Sequence, residues 1–350
     1  MERVRICLVG AGRAGMVHGR NYARSIPGAE VVAVVDPVAA ARDAAAAEFG
    51  ARAFETLTQA LESVAFEAVC IATPTFTHHE LVLTAAAAGR HIQCEKPLAV
   101  TIAEGLAMVA AVRRAGVIFQ MGFMRRYDPE YEEAREVIAG GEIGRIVFLR
   151  SLTRGPGLPP PWALETARSH GLFGEVNSHD VDVIRWLSGG EFVRVYARAR
   201  ALKATDVLRD HPDFYDVGVI VGELDNAALA TIEGACPVDY GYDARLEVLG
   251  TQGMVTVGAV PEGTVVRVSR DGAVTGRTFR SWRDRHREAY RREDQAFIDS
   301  VRTGRPPRAG AIDGLRALEV VMAAEASLRS GHAEAVGRAE PSSLEEATSP

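Results

Sequence analysis

Short apolar runs alternate with longer amphipathic stretches along the first third of the chain. Val4–Val9 is apolar but for Arg5, as a strand buried on both faces should be. Residues 30–35, 68–72, 91–94 and 117–121 read as further strands. Between them, 13–25, 39–49, 58–63, 80–88 and 101–115 read as helices, two of them stopped by Gly50 and Gly89. This alternation predicts βαβ units and a parallel sheet. A helix over 131–139 ends at Gly140-Gly141. Beyond Ile143 the pattern changes. Segments 146–151, 193–199, 217–221, 227–233, 244–249, 254–257 and 265–268 are β-prone and joined by Gly/Asp turns. Several alternate with a period of two, as in an antiparallel sheet with one wet face. Residues 312–330 form a closing helix, and an Ala/Glu/Ser/Pro tail follows.

The 350 residues exceed the usual size of one core, so two domains are expected. The fold class is an α/β Rossmann domain with a parallel, doubly wound sheet, over 1–125. An α+β domain with a large, mostly antiparallel sheet follows over 126–331, its C-terminal helices free to pack back on the first. Residues 332–350 are expected to be disordered. A net charge of −6 argues against nucleic acid and anionic membranes as partners. Cys7, Cys70, Cys94 and Cys236 form neither a disulfide framework nor a zinc spacing and suit a reducing cytosol. The chain enters its first strand without a signal peptide, and no apolar run reaches membrane-spanning length. A cytoplasmic location is expected.

The chemistry begins at Gly10-Ala11-Gly12-Arg13-Ala14-Gly15, which follows the first strand and opens the first helix. In that setting the spacing is a dinucleotide fingerprint. The first glycine permits the turn, the second lets a pyrophosphate approach, and the third lets helix and strand pack closely. Asp36 ends the second strand, where a carboxylate accepts ribose hydroxyls and repels a 2′-phosphate, so NAD is expected rather than NADP. Arg13 is the loop residue suited to the extra phosphate. Lys96 stands between Glu95 and Pro97 after the strand 91–94. Proline biases it away from helix, and its ammonium belongs at the strand's C-terminal end, the edge where open α/β sheets bind ligands. The Gly10–Gly15 loop, Asp36, Thr73-Pro74 and Lys96 are expected on that one edge. His78 fits cofactor binding or a plain helix start.

A second cluster lies in 175–187, which reads as one helix. Glu175, His179 and Asp182 fall at i, i+4 and i+7 and share a face, while Val181, Ile184 and Leu187 line an apolar one. A carboxylate one turn from His179 suits a general base near neutral pH. His170, Glu175, His179 and Asp182 are also metal-ligand types, but their spacing matches no zinc motif and no metal is expected. Residues 155–162 (GPGLPPPW) exclude regular structure and read as a rigid loop beside a pocket. Trp162 suits either a sugar face or a core cap.

Ala72-Thr73-Pro74 with His78, Gly89 with His91, and Glu95-Lys96-Pro97, taken with the glycine loop and Asp36, resemble the signature of the Gfo/Idh/MocA oxidoreductases. Residues 239–253, Ala289-Tyr290 with Glu293, Ala296 and Phe297, and Gly304 with Pro306 resemble the bacterial inositol 2-dehydrogenases of that family. The resemblance covers residues 3–331. It implies a nicotinamide cofactor held by Gly10, Gly12, Arg13, Ala14, Gly15, Asp36, Thr73, Pro74, His78, Glu95 and Lys96, and a cis peptide before Pro97. It implies that NAD oxidises a secondary hydroxyl of a cyclic polyol or sugar by hydride transfer. Lys96 would stabilise the alkoxide, His179 would take the proton, and Glu175 would orient His179. Glu175 and Asn177 depart from the family's usual Asp and small residue, which bears on the substrate. Gly122–Tyr127 resembles another family segment, in which Arg126 suits either substrate hydroxyls or a structural ion pair. Trp162 and Tyr240 are further candidates for substrate contact. The second-domain sheet is the expected surface of a homodimer or homotetramer. Two other functions fit the same residues: a sugar enzyme using bound NAD for transient oxidation in epimerisation, elimination or glycoside cleavage, and a non-catalytic NAD or sugar sensor.

Overall fold

A computed structural model describes residues 3–258 and 279–340. The chain forms two compact units. One contains Met1–Tyr127, Glu288–Arg316 and Ala339–Pro350, and the other contains Asp128–Arg287 and Ala317–Arg338.

The first unit starts with β1 (Val4–Val9), α1 (Arg13–Arg24), β2 (Ala29–Val35), α2 (Ala39–Phe49), β3 (Arg52–Phe54) and α3 (Leu57–Ser63). It continues with β4 (Ala68–Ile71), α4 (His78–Ala87), β5 (His91–Cys94), α5 (Ile102–Ala115) and β6 (Phe119–Met121). All strands run parallel in the order β3-β2-β1-β4-β5-β6, the doubly wound arrangement expected. The order reverses between β1 and β4, so the crevice for a ligand opens beyond their C-terminal ends. β3 escaped the apolar-run reading because it has three residues, two of them exposed. Thr101 caps α5 in a reciprocal box with Glu104, which starts that helix one residue later than its periodicity suggested.

The second unit contains α6 (Pro129–Ala139), β7 (Ile146–Arg154), α7 (Thr166–Ser169), α8 (Gly171–Glu175), α9 (Ser178–Ser188), β8 (Phe192–Arg200) and β9 (Val217–Leu224). β10 (Leu229–Ala235), β11 (Asp243–Gly250), β12 (Met254–Val257) and α10 (Trp282–Arg285) follow. The chain ends with α11 (Arg287–Thr303), α12 (Ala311–Ser330) and β13 (Glu334–Ala335). The seven-stranded sheet has the order β12-β11-β7-β10-β9-β8-β13 and is antiparallel except where β10 pairs with β7. Along β7, Leu149, Ser151 and Thr153 face the helices; Arg150 and Arg154 face the opposite, open side.

Three expectations need correction. Residues 161–164 of the proline-rich stretch form a 3-10 turn containing Trp162, because proline tolerates the first position of a helical turn. The tail expected to be disordered from residue 332 first supplies β13, whose Glu334 and Ala335 pair with Val195 and Arg194 of β8. The range 126–331 is also divided, since most of α11 lies in the first unit, where Phe297 and Ile298 pack in the core with Ile6, Leu8, Tyr22 and Val34. The segment 265–268 and residues 341–350 lie outside the described residues. No helix among the described residues is long and apolar enough to cross a membrane.

Candidate active site

β1 delivers the chain into Gly10, whose φ of +97° suits glycine, and a Cβ on Gly15 would stand 1.8 Å from the Gly10 carbonyl oxygen. Gly12 caps α1 without a side-chain hydrogen bond, with open space where its Cβ would be and no acid in the first turn. The first amides of α1 therefore remain an anion site. Asp36 ties the end of β2 to this loop: Oδ2 accepts the Ala11 amide at 2.8 Å and Oδ1 accepts the Val38 amide at 2.8 Å. Each oxygen keeps a lone pair for a ribose hydroxyl. Arg13 is exposed at the rim of the loop. Arg42, which the sequence reading overlooked, directs its guanidinium to the carbonyls of Asp36 and Pro37. These features fit the adenosine and pyrophosphate of a nicotinamide dinucleotide.

The next strand ends supply the remaining groups of this edge. Thr73 and Pro74 follow β4 in a turn tied by the Thr77 hydroxyl, which lies 2.7 Å from Thr73 Oγ1 and 2.8 Å from the Pro74 carbonyl oxygen. Lys96 follows β5 at half-buried exposure, and the Lys96–Pro97 peptide is cis. His78 is fully buried: Nδ1 lies 2.8 Å from the Pro97 oxygen and Nε2 3.0 Å from the Thr73 oxygen. It ties the two turns together from the start of α4. A neutral ring donates to one of these carbonyls, a doubly protonated ring to both.

Behind Lys96 lies a buried polar network that no local pattern announced. His18 Nε2 lies 3.0 Å from Glu95 Oε1, and Nδ1 lies 2.7 Å from Asp294 Oδ1. Asn21 and Gln93 donate to Asp294 at 2.7 and 2.8 Å, and Tyr22 donates to Gln93. Burial alone would lower the His18 pKa, but Asp294 and Glu95 raise it well above 6.5. Burial disfavours the Glu95 carboxylate, yet His18 and Lys96 hold its pKa below 4.5. Among the described residues, His18, Glu293 and Asp294 are gathered with ligand-type atoms within 4.8 Å of one another. Both His18 nitrogens and both Asp294 oxygens are already engaged by protein groups.

In the second unit, the single helix expected over 175–187 is two. α8 ends at Glu175, Val176 and Asn177 interrupt, and α9 starts at Ser178. Glu175 therefore does not share a helix face with His179, although Asp182 still lies one turn after it. Asn177 explains the break. Its amide donates to Asp180 Oδ2 at 2.8 Å and to the Glu233 carbonyl at 3.2 Å. Its side chain sits over Gly234, where a Cβ would come within 2.3 Å of Asn177 Oδ1. Asp180 Oδ1 accepts the Ser151 and Thr153 hydroxyls at 2.6 and 3.0 Å, anchoring the start of α9 to β7. His179 and Asp182 are both buried, and Arg185 lies 3.7 Å from Asp182.

The other candidates occupy different places. Arg126 is buried in the first unit, where it pairs with Asp313 at 2.8 Å and donates to the Arg308 carbonyl, the structural alternative of its two readings. Tyr240 accepts from Arg154 at 3.3 Å and donates to Asp243 at 3.1 Å. With Arg154, Arg198, Thr231 and Glu233 it lines a cavity of about 540 Å³ on the open face of the sheet, opposite the face that holds α9. Trp162 is half-buried. His170, at a left-handed φ of +61°, lies 3.2 Å from Glu325.

A family pattern described as "Oxidoreductase family, NAD-binding Rossmann fold" (GFO/IDH/MocA) matches residues 4–123. The "GFO/IDH/MocA C-terminal domain" matches residues 131–256. The chain is 36% identical to scyllo-inositol 2-dehydrogenase (NAD(+)) of Bacillus subtilis (strain 168), over 94% of this chain and 95% of that one. It is 33% identical to Myo-inositol 2-dehydrogenase of Thermotoga maritima, over 93% and 96%. The crystal structure of scyllo-inositol dehydrogenase from Lactobacillus casei, with bound NAD(H) and scyllo-inositol, matches with a TM-score of 0.85 and 28% identity, covering 96% of this chain and 99% of that one.

Proposed function

This chain belongs to the Gfo/Idh/MocA oxidoreductase family, and we propose that it oxidises a secondary hydroxyl of a cyclic polyol with NAD, an inositol being the first candidate. The observation that carries this reading is the place of Lys96. It follows β5 on the same parallel sheet whose strand ends hold the Gly10–Gly15 loop and Asp36. A protein that only sensed a dinucleotide would not need an ammonium there.

The bound dinucleotide supplies the acceptor for the hydride that leaves the carbinol carbon. The chain's own residues do the rest. Gly12 and the first amides of α1 hold the pyrophosphate, and Asp36 accepts the ribose hydroxyls and disfavours a 2′-phosphate. His179 takes the hydroxyl proton as general base, and Lys96 stabilises the negative charge developing on that oxygen. Glu175 serves as an acceptor for a substrate hydroxyl; its position is set by the break before α9 and not by a shared helix face.

We further propose that the open face of the seven-stranded sheet joins copies of this chain, as a homodimer or a homotetramer. Tyr196, Val219, Val221 and Leu229 are exposed there beside the Arg150–Glu233 and Arg154–Glu233 ion pairs, an apolar patch with a charged border. The four cysteines are buried, in keeping with the cytoplasm as the compartment we propose.

The test is NADH formation with a panel of inositols, aldoses and anhydrosugars, run with NAD and with NADP. Turnover of a cyclic polyol with NAD supports the reading. Tight NAD binding with silence across the panel would overturn it.

A further inference from the structure

α1 turns Gly15, His18, Gly19 and Tyr22 toward the core. A histidine on such a face is ordinarily a satisfied core residue. The surroundings of His18 are more specific. Its two ring nitrogens meet two carboxylates, Asp294 at 2.7 Å and Glu95 at 3.0 Å, and carboxylates only accept. Both contacts are hydrogen bonds only when the ring is an imidazolium. The Cys70 thiol and the edge of the Tyr290 ring also face it, while Glu293 and the Tyr22 phenol stand near Asp294. Burial holds the Cys70 thiol protonated, its pKa pushed up to about 12.

The consequence lies at Glu95. Oε1 is fixed by His18, and Oε2 accepts the backbone amide of Lys96 at 3.2 Å. On the far side of the turn, His78 holds the Pro97 carbonyl. The Lys96 backbone is thus held at its own amide and at the next carbonyl. A continuous line of hydrogen bonds runs from Asp294 on α11, through His18 on α1, to Glu95 at the end of β5. Core packing alone does not call for buried ions, because apolar groups of similar volume pack as well or better. Ions at this place, one residue from Lys96, point to a positioning function.

We propose that His18 and Asp294 are positioning residues for the oxidation described above, holding Glu95 ionised so that its carboxylate fixes the Lys96 backbone. This inference rests on the reading of Lys96 as the group that stabilises the alkoxide.

The experiment uses the full chain and compares the parent with His18→Gln, with the milder Asp294→Asn, and with the double variant His18→Gln/Glu95→Gln. kcat and the KM values for NAD and polyol are measured over about pH 5.5 to 9.5. In His18→Gln the buried Glu95 carboxylate loses its cation and binds a proton more readily. Its kcat is expected to fall about 10- to 100-fold, with the KM for NAD changed less than about threefold. Its activity is also lost at a higher pH than in the parent as the solution is acidified. Asp294→Asn is expected to move that acid limb the same way by less. The double variant, which has no ionisable group at position 95, is expected to return the limb to the parental position. A role in packing alone would lower the melting temperature without moving the limb. Parental turnover with an unmoved limb in both single variants would overturn the inference. If the parent oxidises no polyol, it is the functional reading that has failed. The ¹³C resonance of the Glu95 carboxyl then still decides the inference: it is expected to titrate at higher pH in His18→Gln, and an unchanged titration overturns it.

Discussion

Asn177 stands in the break that separates Glu175 from His179 and donates its side-chain amide to Asp180 Oδ2 at 2.8 Å, in the first turn of α9. Asp180 is fully buried and also accepts two hydroxyls from β7. Asp180→Ala would strand three donors at once. It is expected to cost ~3–5 kcal/mol of unfolding free energy, read by denaturant titration, and to lower kcat by loosening His179. Asn177→Ala removes one of the three and is expected to cost ~1–2 kcal/mol.

Asp36 ties the glycine loop to β2 through the Ala11 amide. Asp36→Ala removes that tie, the acceptor for the ribose hydroxyls and the repulsion of a 2′-phosphate together. kcat/KM for NAD is expected to fall about 10- to 100-fold, corresponding to ~1–3 kcal/mol. The value for NADP should fall less or rise. Measuring both cofactors separates this from a general loss of activity.

Arg126 pairs with Asp313 and the Arg308 carbonyl, and its side chain is almost fully buried. Arg126→Ala is expected to destabilise the protein by ~2–4 kcal/mol, while the KM for polyol changes less than about threefold. An unchanged unfolding midpoint with a large rise in that KM would return Arg126 to the substrate.

The pKa of His18 is raised on folding, so its contribution to stability is complete below about pH 6.5, its unfolded value, and is lost as pH rises through the folded value. The pKa of Glu95 is lowered, so its contribution is complete above about pH 4.5 and is lost as pH falls through the folded value. The stability gap between the parent and His18→Gln should therefore be widest between about pH 4.5 and 6.5 and shrink toward alkaline pH. Urea titrations at several pH values measure it. A gap that grows toward alkaline pH would contradict the assignment of charge.

The doubly wound half was legible because its principal strands are short apolar runs and its chemistry sits where they end. Asp36 and Lys96 are placed by β2 and β5 alone. The break after Glu175 was not legible, since Val176 and Ser178 are compatible with helix and the cause is a contact between Asn177 and β10. Contacts of long range escaped for the same reason. His18 and Asp294 are 276 residues apart, and Arg126 is 187 from Asp313. No periodicity encodes such pairs. Tyr240 was singled out by its motif; it lies in the turn before β11, where Arg154 and Asp243 hold it beside the cavity on the open face, contacts that its motif does not encode.

The central claim is that Lys96 stabilises the oxygen whose carbon loses hydride, and it is tested by kcat for NADH formation from scyllo- or myo-inositol in the parent and in Lys96→Ala. Stabilisation of developing charge is the larger share of such catalysis, so Lys96→Ala is expected to lose about 100- to 1,000-fold in kcat, more than Glu175→Gln, with the KM for NAD little changed. Lys96→Ala turning over inositol at close to the parental rate would contradict the account.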